Sequence, residues 1–218
     1  MPAKARPQLL FILGTRPMSV EIADLVADVP AFKAVGFVDN EDNARCGHSM
    51  AGLPVHWVDE MARYVRTHRA LCGLMTTHRA RFTDQVEALG MRFATLVHPM
   101  ARVSSSAQLG HGCIVSAGAV IGAEARLGRH VFVNRGALIG HHTEVGDHAS
   151  LGPGANVAGH CLLGERVYVG IGAIVNDHVS IGERSVIGAG ALVMADLPDR
   201  VTAVGAPAKV IKQGGDGK

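Results

Sequence analysis

The chain has 218 residues, 48% of them apolar, and carries 21 Lys and Arg against 19 Asp and Glu for a formal charge of +2. That apolar content excludes a disordered chain, and the near balance of charge, without any run of basic residues, excludes a polyelectrolyte-binding face. Nucleic acid is therefore not expected as a partner. No apolar stretch approaches the roughly 20 residues of a membrane helix, no leader-like segment precedes the first strand, and Cys46, Cys72, Cys113 and Cys161 show no CxxC spacing. A cytoplasmic protein with free thiols and no membrane span is the expectation. Glycine is abundant, 27 residues, while aromatics make up only 4%. The core must therefore be built from small and β-branched side chains in thin, repetitive layers.

Residues 1–96 alternate short apolar runs with helix-like segments. Strands are predicted at Gln8–Leu13, Ala34–Val38, Ala70–Met75 and Arg92–Val97, and helices at Pro17–Asp28, Val58–His68 and Thr77–Leu89. Pro17 suits a first helical position, and Gly90 follows Leu89 as a helix stop would. This is the grammar of an α/β, Rossmann-like domain with a small parallel sheet flanked by helices. In such folds the turn after the first strand, here Gly14-Thr15-Arg16-Pro17-Met18-Ser19, is where a nucleotide or sugar phosphate binds. It holds a single Gly, so a plain strand-to-helix turn is the competing reading.

From Val97 the grammar changes: an aliphatic residue recurs at every sixth position without a miss as far as Val193, usually followed by Gly, Asn or Ser. A small residue stands at the fourth position after it, as at Cys113, Ala119, Ala137, Ala155 and Ala173. A period of six is neither helical nor the length of one strand, so residues 97–218 are read as an all-β solenoid with a C-terminal tail, three hexads to each 18-residue coil. Residues 18 apart then stack in columns. Gly118, Gly136, Gly154, Gly172 and Gly190 form one, the expected mark of a corner needing positive φ or close backbone approach. Glu124, His142, His160 and His178 form another, facing either a neighbouring subunit or solvent.

The hexad resembles that of the hexapeptide-repeat acyltransferases, and the resemblance implies a left-handed parallel β-helix. Asn134-Arg-Gly-Ala-Leu-Ile-Gly-His141, the junction His98-Pro99 and the tail Gly205-Ala-Pro-Ala-Lys209 are similar to one subfamily, the sialic acid O-acetyltransferases and bacterial UDP-4-amino-sugar N-acetyltransferases. That likeness implies acetyl transfer from acetyl-CoA to a sugar amine or hydroxyl, on a nucleotide-linked acceptor, at the cleft between subunits of a homotrimer. It also implies that His141 is the general base, with Asn134 a polar neighbour of the site.

The residue after the family's base is usually acidic, and here it is His142, so Glu144 or Asp147 would have to supply the carboxylate. The family's second His, which meets the cofactor, is Ser150 in this chain, with His148 two residues away. The resemblance further implies cofactor contacts through the backbone near Gly159, Ile171 and Ala189 and close to Lys209, and an acceptor site at Gly14, Thr15 and Arg16 with Asp39 and Asn40. No bound metal is expected. Two alternatives stay open: a zinc enzyme like the β-helical carbonic anhydrases, through His142 and His178, and a solenoid without catalysis.

Overall fold

A computed structural model describes residues 6–218. The chain divides into two compact units, one taking in the residues up to Met75 together with Arg79–Pro99, the other Thr76–His78 with Met100–Lys218.

The first unit is a five-stranded sheet in the order β3-β4-β2-β1-β5, built from β1 (Gln8–Leu13), β2 (Phe32–Asp39), β3 (Ser49–Met50), β4 (Leu53–Trp57) and β5 (His68–Cys72). The pairs β1/β2, β1/β5 and β2/β4 are parallel, and only the edge hairpin β3/β4 is antiparallel. Helix α1 (Pro17–Ala27) starts on Pro17, and α2 (Ala80–Ala88) follows a 3₁₀ turn at Thr77–Arg79. Phe11, Leu13, Val38, Met61, Phe82 and Val86 meet in one core.

Three sequence expectations change here. Arg92–Val97 is not one strand: Phe93 makes an isolated parallel bridge to Ala70, and a two-residue strand covers Leu96–Val97. Val58–His68 is not a helix: a 3₁₀ segment covers Val58–Arg63, and the chain is extended from His68, where β5 pairs Leu9 with His68. The strand β4 went unpredicted because Pro54 sits inside it. Proline is tolerated there because the strand lies near the sheet edge, beside the two-residue strand β3.

The second unit is a parallel β-helix of three sheets. One stacks the strands Arg102–Val103, Val120–Ile121, Leu138–Ile139, Asn156–Val157, Ile174–Val175 and Leu192–Val193. A second runs from Gln108–Leu109 to Ser180–Ile181, and a third from Ile114–Val115 to Thr202–Val204, capped by Lys209–Lys212 in antiparallel pairing. Registers such as Val120↔Leu138↔Asn156 hold the 18-residue coil, whereas Val186 pairs with Thr202, so the last coil is shorter. The periodic aliphatics Ile121, Ile139, Val157, Val175 and Val193 are buried, as are Ala119, Ala137, Ala155, Ala173 and Ala191 beside them.

All three corners turn through the left-handed region. The glycine column does so with φ of 62–69°, and Glu124, His142, His160 and His178 do so as well, at 57–61°. Histidine is among the few residues besides glycine that enter this region readily. The histidine column is thus first of all a turn-forming column. Glycines that follow the aliphatic residue serve a different need, since a Cβ on Gly146 would lie 2.6 Å from the Glu165 amide nitrogen of the next coil.

Candidate active site

His141 and His142 occupy the corner between the strands Leu138–Ile139 and Glu144–Val145. The His142 backbone donates to the Ala123 carbonyl of the coil before, and the His160 backbone donates to the His141 carbonyl from the coil after, both at 2.9 Å. The corner is thereby clamped from both sides while its side chains stay exposed. The His141 imidazole lies over Gly159, where a Cβ would come within 2.8 Å of the ring. Its Nδ1 is 3.1 Å from Nδ1 of His142, and its ring stands edge-on to His160 at 5.0 Å. If His142 accepts the Nδ1 proton of His141, the Nε2 lone pair of His141 is left free to take a proton.

His142, His160 and His178 stack at 4.8 Å intervals, the spacing of the coils. Desolvation, followed by repulsion from His178, His142 and His141, lowers the pKa of His160 against the opposing pull of Asp177. His160 stacks on His142 as the column reading has it, whereas Asp177 is a neighbour that reading did not name, although the same 18-residue arithmetic puts Gly159 and Asp177 under His141.

The carboxylates considered as partners of His141 are engaged or placed elsewhere. Asp147 accepts from the Arg129 amide at 2.7 Å and from its Nε at 2.8 Å. Burial raises the Asp147 pKa, but those bonds and the guanidinium charge outweigh it and hold the carboxyl below its ordinary range. Glu144 points outward from the second sheet. Asn134 is buried at the end of Phe132–Val133, its Oδ1 taking the Arg135 amide at 2.7 Å. Ser150 is buried on the third sheet between Phe132 and Tyr168, and His148 is buried against His130 with ring centroids 4.9 Å apart.

Ile171 and Ala189 are exposed corner residues one coil apart, and Gly159 holds the equivalent place on the histidine corner. The carbonyls of Gly159 and Ile171 are taken by the amides of His178 and Gly190, whereas the N–H groups of Gly159, Ile171 and Ala189 donate to no backbone carbonyl among the described residues. They are open donors of the kind a cofactor amide or phosphate accepts from. Lys209 is exposed at the start of the final strand.

Within the first unit, the acceptor candidates gather at the carboxyl ends of β1 and β2. Gly14 has φ of 101° and leaves no room for a side chain against Leu74 and Ser19. Buried Asp39 accepts from Thr15, from Arg45 Nη1 at 3.2 Å, and from the amides of Glu41 and Asp42. Burial raises its pKa, but these donors more than offset that and hold it below the ordinary carboxylate range. With its lone pairs so used, Asp39 shapes the loop beyond β2. Exposed Arg16 pairs with Glu41 at 3.3 Å, and Asn40 donates to Gln85 at 2.9 Å.

Residues 160–195 match the family model described as bacterial transferase hexapeptide (six repeats). No curated protein matches the sequence significantly. Among solved structures, the acetyltransferase domain of PglB from Neisseria gonorrhoeae, in complex with acetyl coenzyme A, is 29% identical with a TM-score of 0.86, covering 94% of this chain and 100% of that one. PerB from Caulobacter crescentus, in complex with CoA and GDP-perosamine, is also 29% identical, with a TM-score of 0.85 over 95% of this chain and 99% of that one. WeeI from Acinetobacter baumannii, at 20% identity and a TM-score of 0.84 over 94% of this chain and 100% of its own, shares the fold. The hexapeptide repeat is thus matched over residues 160–195, and over nearly its whole length the chain is built like the acetyltransferase domain of PglB and like PerB.

Proposed function

We propose that the protein is an acetyl-CoA-dependent sugar acetyltransferase that acetylates the amine of a nucleotide-linked amino sugar, with His141 as general base. The observation that carries this reading is His141, exposed, clamped at a solenoid corner and seated on Gly159, in a chain whose near full-length likenesses hold acetyl coenzyme A or CoA with GDP-perosamine. The acceptor nitrogen attacks the thioester carbonyl, Nε2 of His141 takes its proton, and the C–S bond breaks to release the CoA thiolate, which is protonated in turn. Asn134 and His142 support the base. Open amides at Gly159, Ile171 and Ala189 face the cofactor arm, with Ser150 and Lys209 along its path.

In this reading the first unit is Rossmann-like and holds the nucleotide sugar at Gly14, Thr15, Arg16, Asp39 and Asn40, while the helix of residues 97–204 is left-handed. The working form is a homotrimer. Exposed Val120, Leu138 and Ile174 on one sheet and Leu162 on the next flank the histidine corner, and trimer contacts would cover such apolar residues and bring the base to a subunit cleft. Four free cysteines fit a reducing, cytoplasmic setting, and among the described residues no helix is long and apolar enough to cross a membrane.

The test is a screen of acetyl-CoA consumption against nucleotide amino sugars and sialic acids. Turnover with an amino sugar is expected, and turnover with none of them would overturn the reading. Thermal stabilisation by acetyl-CoA should shrink in Ala189→Trp, whose bulk blocks backbone contact at that corner.

A further inference from the structure

The imidazoles of His141, His142 and His160 converge more closely than a turn requires. One ring nitrogen from each lies within 4.8 Å of the other two, and all three side chains are exposed. Two features of the backbone hold them there: His142 and His160 are left-handed corner residues one coil apart, and the His160 amide is bonded to the His141 carbonyl at 2.9 Å. In tetrahedral zinc with Zn–N bonds of about 2.05 Å, ligand nitrogens are about 3.3 Å apart. The 3.1 Å between Nδ1 of His141 and Nδ1 of His142 is already close to such an edge, and rotation of exposed rings closes the remainder.

We propose that His141, His142 and His160 form an inhibitory site for a borderline divalent transition-metal cation, represented by zinc. An all-imidazole set suits zinc, nickel or copper and disfavours magnesium and calcium, which take oxygen ligands. Three nitrogens leave a coordination position for water. A cation here engages the ring that must otherwise accept the acceptor's proton, so occupancy and acetyl transfer exclude each other. That consequence rests on His141 being the base; the site itself does not.

The experiment titrates zinc chloride into the intact, EDTA-treated and dialysed protein by calorimetry. Asparagine is the substitution of choice, because it enters the left-handed region with little strain and is a poor zinc ligand. One site per chain is expected, weakened about tenfold or more in His160→Asn and in His142→Asn, and held within about threefold in His178→Asn, whose ring stacks on His160 outside the three-nitrogen set. Zinc should inhibit acetyl transfer over the same concentration range, and EDTA should restore it. Zinc binding unchanged in His160→Asn, or equal losses in His160→Asn and His178→Asn, would overturn the site. Binding that follows this pattern in a protein that acetylates no sugar would leave the site standing and remove the enzymatic reading instead.

Discussion

The two units obey different rules of specification. In the β-helix one register decides nearly everything: up to the shorter last coil, each coil repeats the same three corners, and a residue's number modulo 18 fixes whether it is core, corner or outward-facing. In the α/β unit each element answers to a different partner, so local pattern and final structure part company where pairing wins. The helical look of Val58–His68 gives way to a 3₁₀ segment ending at Arg63 and a turn, and the chain is already extended at His68, where Leu9 to Leu13 takes β5 as a parallel neighbour. The repeat thus acts as a rigid ruler that sets His141 on its corner, and the α/β unit gathers polar groups at loop ends that no periodicity controls.

The largest expected effect tests the ruler's main product. His141→Ala should lower kcat by about 10² or more, roughly 3 kcal/mol of barrier, while acetyl-CoA affinity stays within about threefold. Steady-state kinetics with the acceptor found by the screen would decide it, and a nearly active variant would move the base elsewhere. His142→Glu sharpens the point. Glu124 already occupies the same corner column at φ 59°, so the backbone accepts the change. A carboxylate beside the base favours the imidazolium, and the acid limb of the pH–rate profile should move to higher pH.

How much of this was legible follows from the same contrast. The glycine column could be read as a corner before any coordinates, because integer periodicity converts sequence spacing into spatial stacking. The histidine column carried the same turn geometry, but histidine advertises chemistry more loudly than conformation. The placement of His141 over Gly159 was also latent in that arithmetic, since 141 and 159 share a column. The pairing of Asp147 with Arg129 was latent in the same way, since 129 and 147 share a column. Nothing comparable foretold that Asp39 would be saturated by Thr15, Arg45 and two amides, an outcome that depends on side-chain reach between loops, which spacing alone does not encode.

Substitution of glycines separates the two demands that the solenoid makes. Gly146→Ala should cost about 2 to 3 kcal/mol, since its Cβ would meet only backbone: the Glu165 nitrogen at 2.6 Å and the Gly164 carbonyl carbon at 2.7 Å, neither of which can move without shifting a coil. At Gly136 nothing lies within 4 Å of a Cβ, and the cost of alanine is the left-handed φ of 64°, about 1 kcal/mol. Chemical denaturation of the two variants should rank them in that order. Equal losses would mean that conformation, not close approach, governs both kinds of glycine.

A modest effect belongs to the α/β unit. Asp39 has a depressed pKa when folded, so its contribution is fully present above the pKa of the unfolded chain and is lost as pH falls through the folded value. In Asp39→Asn the amide oxygen still accepts from the Glu41 and Asp42 amides. The amide nitrogen, however, turns a donor toward Arg45 Nη1, which has no lone pair to offer, whereas the Thr15 hydroxyl reverses its role. A loss of about 1 to 2 kcal/mol is expected at neutral pH. Because the wild type surrenders the same charge in acid, the difference between urea midpoints of wild type and variant should narrow between pH 7 and pH 3. A difference that stays constant across that range would mean that the Asp39 cluster is held by shape and not by charge.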